Sequence, residues 1–237
     1  MTANVCVPTD VRACDLGPAI VLVSYRSGAV QVLTGPSREW WVKAAQTGRA
    51  EESTPVVPRL LDKGVVEHGT GSERPWPLVF GKSWEPNWGT HELPMGFASH
   101  PRVPPRAHVT GAIGLILTLT TAVAGSRRKR MRRMVRLVDH ASRWSRKPAT
   151  RQQAEHAIHA VRRLGTFSPV RTACLEESVA ATLALALIGR RGRWCHGVMA
   201  DPILLHAWIE AEGEPVAEPD STRKCAVLLE LPTKENT

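Results

Sequence analysis

The chain has 237 residues, 43% of them hydrophobic, enough to fill the core of one large domain or of two small ones. Five cysteines (Cys6, Cys14, Cys174, Cys195, Cys225) form no CxxC pair and no secretory signal opens the sequence, which argues against a disulfide framework or zinc ribbon and for a reducing cytoplasm. The formal charge of +9 is uneven: residues 1–100 hold 9 Lys/Arg against 10 Asp/Glu and residues 101–237 hold 22 against 12, so a boundary is expected near residue 100.

Residues 5–33 read as strands: Val5 to Pro8, then Ala19 to Leu33, where Arg26-Ser27-Gly28 supplies the turn of a small hairpin. Gly35-Pro36-Ser37 opens a helix with Trp40, Trp41 and Ala44 at helical spacing and Gly48 as its stop. A second helix is expected from Thr54 to Lys63, closing at Gly64. A hairpin followed by two or three helices is a small winged-helix pattern, assigned to residues 1–70. Residues 68–108 hold seven prolines together with Trp76, Trp84 and Trp88. They read as an extended connector, bounded at 71–107, that packs its indoles onto a domain surface.

The C-terminal module, 108–237, is richer in helix. Val109 to Gly125 is a run of 17 uncharged residues followed by seven basic ones between Arg127 and Arg136. That is the pattern of a short transmembrane helix with positive flanks, but four threonines and three glycines favour a buried or interfacial helix. Thr110 to Asp139 and Thr150 to Leu164 are amphipathic, and Leu175 to Ile188 is apolar nearly all round, as a central helix would be. RWCHGVM, LLHAWIEAEGEPVAE and KCAVLLEL then read as strands. A buried helix followed by an antiparallel sheet gives an α+β class.

Cys174 stands where that central helix begins. Unpaired N–H groups and the helix dipole stabilise an anion there, which favours the thiolate, the nucleophilic form. His206 follows 32 residues later, and strand alternation puts His206, Trp208 and Glu210 on one face. Glu218 and Asp220 lie beyond a Gly-Pro turn and are the candidates to orient the imidazole. Against this, Glu176 and Glu177 oppose a thiolate, and a lone cysteine beside an Ala/Leu helix is commonly plain core. Cys195-His196 is a rival pair whose side chains point to opposite faces. His156 and His159 are one helical turn apart without an acidic partner in register, so a solvated face is expected there rather than a metal site. The basic run reads as a solvated or partner-facing surface, with no nucleic-acid partner expected.

The strings TACLEESVAATLALAL, WCHGV, DPILLHAWIE and GEPVAEP, in this order, resemble the lasso-peptide leader peptidases, the B proteins of that biosynthesis, over about residues 108–230. AIVLVSYRSGAVQVLTGPSREWWVKAAQTG is similar to a RiPP recognition element, the PqqD-like winged-helix domain that binds leader peptides. The resemblance implies a fused protein: a recognition element joined to a transglutaminase-like, papain-like cysteine protease domain. It implies Cys174 as nucleophile, His206 as base and Glu218 as the orienting acid where the family places Asp, with Asp220 as the weaker candidate. The backbone N–H of Cys174 would help to hold the oxyanion. No metal or cofactor is implied.

The leader would add as a strand to the hairpin edge Ala29 to Leu33, with Val30, Val32, Leu60 and Leu61 lining a groove against the second helix. The partners implied are the lasso precursor and an asparagine-synthetase-like, ATP-using cyclase. The expected site of action is the cytoplasm, with membrane contact through 109–136 left open. Transglutaminase-type acyl transfer and a non-catalytic precursor-delivery adaptor are the alternatives.

Overall fold

A computed structural model describes residues 4–48, 50, 53–69, 76–81, 102–145, 147–168, 170 and 172–233. The N-terminal elements are β1 (Asn4–Cys6), β2 (Val11–Asp15), β3 (Ala19–Ser24), β4 (Val30–Thr34), α1 (Gly35–Thr47), α2 (Val57–Asp62), β5 (Glu67–Gly69) and β6 (Val79–Phe80). They make a four-stranded sheet in the order β4-β3-β2-β6, with β1 and β5 paired separately. The expected turn at Arg26-Ser27-Gly28 joins β3 to β4, Val23 pairing with Val30 and Ala19 with Thr34. Strand β2 has no counterpart among the expected elements. Asp15 at its end accepts the Gly17 N–H at 2.9 Å and so closes the turn into β3, and Arg38 clamps the same carboxylate at 2.8 and 3.2 Å.

All six residues of β3, AIVLVS, are buried, because this strand is covered on both faces. Ile20 and Leu22 pack with Leu33, Trp41, Val57 and Leu60 under the two helices. Val21 and Val23 point the other way, into a cluster with Cys14, Leu16, Tyr25 and three residues of the C-terminal part: Met131, Val198 and Leu228. Burying each large aliphatic there contributes roughly 1.5–3 kcal/mol. The connector does not hold the two parts at a distance. Trp76 sits 4.6 Å from the Trp41 ring, and β6 pairs in parallel with β2. Trp84 and Trp88 lie outside the described residues.

The C-terminal elements are α3 (Pro105–Val123), α4 (Arg130–Trp144), β7 (Lys147–Pro148), α5 (Arg151–Gly165), α6 (Cys174–Leu187), β8 (Arg190–Arg191), β9 (Arg193–Met199), β10 (Leu204–Ala211), β11 (Glu214–Pro215) and β12 (Ala226–Leu231). The single helix expected from Thr110 to Asp139 is two helices. Gly125 at φ +76° turns the chain, and Arg133 on α4 reaches back to donate to the carbonyls of Thr121 and Ala122, which α3 leaves open at its end. Thr150 caps α5 through a reciprocal pair of bonds with Gln153.

Helix α6 is the axle of this part. Val179, Ala180, Ala181, Ala184 and Leu185 are buried between α3, α5 and the sheet β11-β10-β9-β12. Its alanines let α3 come very close: a Cβ added at Gly114 would run into the Ala180 carbonyl oxygen. The Trp194 indole N–H donates to Ser178 Oγ at 2.9 Å and ties β9 to α6. With α6 fixed on the sheet, its first residue is fixed relative to β10.

Candidate active site

Ala173 is extended at φ −124°, so the helix begins with Cys174 and carries its partly exposed thiol at the positive end of the dipole. The two glutamates that follow are both ion-paired. Glu176 is buried, accepts the Ala173 N–H at 3.1 Å and is paired with Arg130. Glu177 is paired with Arg162 at 3.1 Å. Both carboxylates are committed to cations from α4 and α5.

His206 on β10 lies within hydrogen-bonding reach of the Cys174 thiol. Its Nε2 lies 2.7 Å from Glu218 Oε2, which leaves Nδ1 as the nitrogen for the thiol. The ring stacks on Trp208 at 5.8 Å and 13°, and the Trp208 indole donates to Glu210, so His206, Trp208 and Glu210 do share a face. Burial pulls the His206 pKa down, but the hydrogen bonds to Cys174 and Glu218 and the charge of Glu218 outweigh it and raise it to about 9. The Glu218 side chain is only 3% exposed. Asp220 lies at the surface, at the start of a short turn, and is not the ring's partner.

Arg162, one turn from the end of α5, has no counterpart among the residues singled out from sequence. Its Nη2 donates to Glu218 Oε1 at 2.6 Å and its Nη1 to the Ala217 carbonyl at 2.6 Å, while Nε serves Glu177. Ala217 has φ +52°, a conformation that costs a non-glycine residue roughly 1 kcal/mol. The guanidinium therefore anchors the bend that delivers Glu218 and the carboxylate itself. Nothing in the local sequence VRRLG separates this arginine from its surface neighbours.

The rival pair separates as alternation requires. Cys195 is fully buried and burial drives its thiol pKa up, so it is held protonated. His196 bonds Tyr25 Oη through Nδ1 at 2.7 Å, and burial, with the charge of His206, lowers its pKa to about 4. Among the described residues no three His, Cys, Asp or Glu side chains converge as a metal site would require.

The expected leader groove does not exist as one surface. Val30 and Val32 pair with Val23 and Val21 and share their face, toward the C-terminal part, where they are 39% and 42% exposed. Leu60 is fully buried in the core on the opposite face under α1 and α2, and Leu61 packs partly buried against that same core. The period-two alternation of β4 puts the valines on one side of the sheet and the helices on the other. What β4 does offer is an edge with no strand beyond it among the described residues.

A thiol at the head of a buried helix, packed on an antiparallel sheet that carries an imidazole and its carboxylate, is the layout of a cysteine-protease-like domain. Residues 116–230, which include Cys174, His206 and Glu218, match the family described as the Transglutaminase-like superfamily. The match leaves the N-terminal sheet outside it. No curated protein and no solved structure matches the chain.

Proposed function

We propose that this protein is a cytoplasmic cysteine peptidase that removes the leader from a lasso-peptide precursor. The observation that carries the chemistry is the juxtaposition of Cys174 at the N-terminus of α6 with His206, whose far nitrogen is held by Glu218 at 2.7 Å. The thiol proton passes to Nδ1 of His206, and Glu218 stabilises the imidazolium that results. The thiolate attacks the scissile carbonyl carbon, and the oxyanion faces the Cys174 N–H at the helix mouth. As the C–N bond breaks, the imidazolium returns its proton to the leaving amine, which becomes the free N-terminus of the core peptide. Water, deprotonated by the same imidazole, then hydrolyses the thioester and restores the thiol. Positioned proton transfer of this kind contributes typically about 10²–10⁴-fold in rate.

The peptide-binding part of the reading is supported by β4. An extended leader can pair with its open edge through main-chain hydrogen bonds and set alternate side chains against Val30 and Val32. These valines face the part of the molecule that holds Cys174, so a leader held there raises the local concentration of its own scissile bond. The freed α-amine is the group that a cyclase must activate against, which places an ATP-using acyl-transfer enzyme next in sequence.

Incubation with a precursor peptide and mass analysis of the products tests the proposal. Two fragments summing to the substrate plus one water support hydrolysis, whereas a cross-linked product would establish the acyl transfer that a transglutaminase-like domain also accommodates. Cys174→Ala must abolish the products; a variant with full effect on core-peptide yield would make the protein an adaptor.

A further inference from the structure

Helix α3 turns an apolar side to solvent. Gly111, Gly114, Leu115 and Thr118 are buried, whereas Val109, Ile113, Ile116, Leu117 and Val123 are 60%, 42%, 61%, 44% and 72% exposed. With successive residues rotated by about 100°, these five fall on one side of the helix, directly opposite the buried four, with exposed Arg106 and Thr120 on the same side. An aliphatic stripe of this length on one helix is larger than the scattered apolar residues of an ordinary surface. The helix is long and apolar enough to cross a membrane, with a mean hydropathy of 1.3, yet the close approach of Gly114 to Ala180 locks it along α6. Held that way, it can meet a bilayer only sideways.

Charge selects what covers the stripe. From Arg102 to Val138 the chain carries nine Lys/Arg and not one Asp/Glu. Arg106 lies near one end of the stripe, and Arg127, Arg128 and Lys129 are exposed just past the other. A second copy docked on this face would set these cations against their equivalents with no carboxylate from either segment to offset them, so self-association is disfavoured. An anionic surface with an apolar layer beneath it satisfies both features at once.

We propose that α3 and the basic turn after it form a peripheral docking surface for anionic lipid headgroups. The stripe sinks into the outer acyl layer while Arg106, Arg127, Arg128 and Lys129 meet headgroup phosphates at its two ends. This assignment is independent of the peptidase reading.

Flotation of the full chain with vesicles tests it, comparing phosphatidylcholine alone with phosphatidylcholine mixed with phosphatidylglycerol, at low and high salt. The chain should float with the anionic vesicles and be released when salt shortens the screening length to about 3 Å. Ile113→Glu/Ile116→Glu and, separately, Arg127→Glu/Arg128→Glu should each lower the bound fraction about tenfold, with an unchanged melting temperature. Failure of the wild type to float, equal flotation with neutral vesicles, or a folded Ile113→Glu/Ile116→Glu chain that floats like the wild type each overturns the proposal. Were an acidic protein the true occupant, the first of these would be seen.

Discussion

Arg162 and Glu218, 56 residues apart, are joined by a 2.6 Å ion pair in which the carboxylate is almost wholly withdrawn from water. The acid that holds the imidazole is therefore itself held from the helix α5. Because Arg162 also grips the Ala217 carbonyl, its loss removes both the counter-ion and the anchor of the left-handed bend. Arg162→Met should lower kcat about 10²-fold through misplacement of Glu218, with KM little changed. It should also cost roughly 2–4 kcal/mol of stability by leaving a buried carboxylate without its cation. Arg162→Lys, which can supply charge but not the two-pronged contact, should recover stability more than kcat. Steady-state kinetics beside thermal melts separate the two effects. An equal recovery of both by lysine would make Arg162 purely structural.

The two acids after β10 make a sharp contrast. Glu218→Gln keeps a side chain of the same size but removes the charge that favours the imidazolium, and should lower kcat/KM by about 10²-fold or more. Asp220→Asn, at the exposed start of the following turn, should leave it within a factor of about two. If Asp220→Asn were the damaging change, the pairing of His206 with Glu218 would not be the working one.

His206 titrates near 9 in the folded chain against an ordinary 6.5, because its bonds to Cys174 and Glu218 outweigh burial. A raised histidine pKa means that the folded state binds the proton more tightly. Its stabilising effect is complete below about 6.5 and is lost as pH climbs to about 9. The melting temperature of the wild type should fall over that interval more than that of His206→Phe. The proton leaves His206 over the same range, so kcat/KM should decline with an apparent pKa near 9, and in Glu218→Gln that limb should move to lower pH. A profile flat to pH 10 in both proteins would rule out a proton on His206 as part of the active form.

The order thiol, buried helix, imidazole strand was legible in the sequence because each piece is a local pattern: an Ala/Leu helix, an alternating strand, a cysteine at a predicted helix start. AIVLVS was legible as a strand for the same reason. The break between α3 and α4 was not, since the apolar and basic runs have compatible periods and only the left-handed turn at Gly125 separates them. Strand β2 was missed because Arg12 interrupts its apolar pattern. The false groove of Val30, Val32, Leu60 and Leu61 came from assigning to one surface residues whose faces are set by pairing register, which sequence does not display. Arg162 was beyond reach altogether: its role depends on a contact across 56 residues.

The joint between the two parts was equally invisible, and a polar contact lies inside its apolar cluster. Tyr25 on the loop after β3 and His196 on β9 are 5% and 6% exposed and 2.7 Å apart. Burial keeps the phenol protonated and the imidazole neutral, so the bond is uncharged at neutral pH. Tyr25→Phe should cost roughly 1–3 kcal/mol, since it leaves a buried ring nitrogen without a partner. His196, lowered to about 4 from 6.5, takes up its proton first in the unfolded chain, so stability should decline as pH falls from about 6.5 to 4. His196→Phe should flatten that acid decline, and in combination with Tyr25→Phe should cost less than the two changes summed, with a coupling of about 1 kcal/mol. Urea denaturation of the four proteins at pH 7 and pH 5 measures both quantities. Strict additivity at pH 7, or an acid slope unchanged in His196→Phe, would mean that the N-terminal sheet is held to the C-terminal part by the apolar cluster around Val21, Val198 and Leu228 alone.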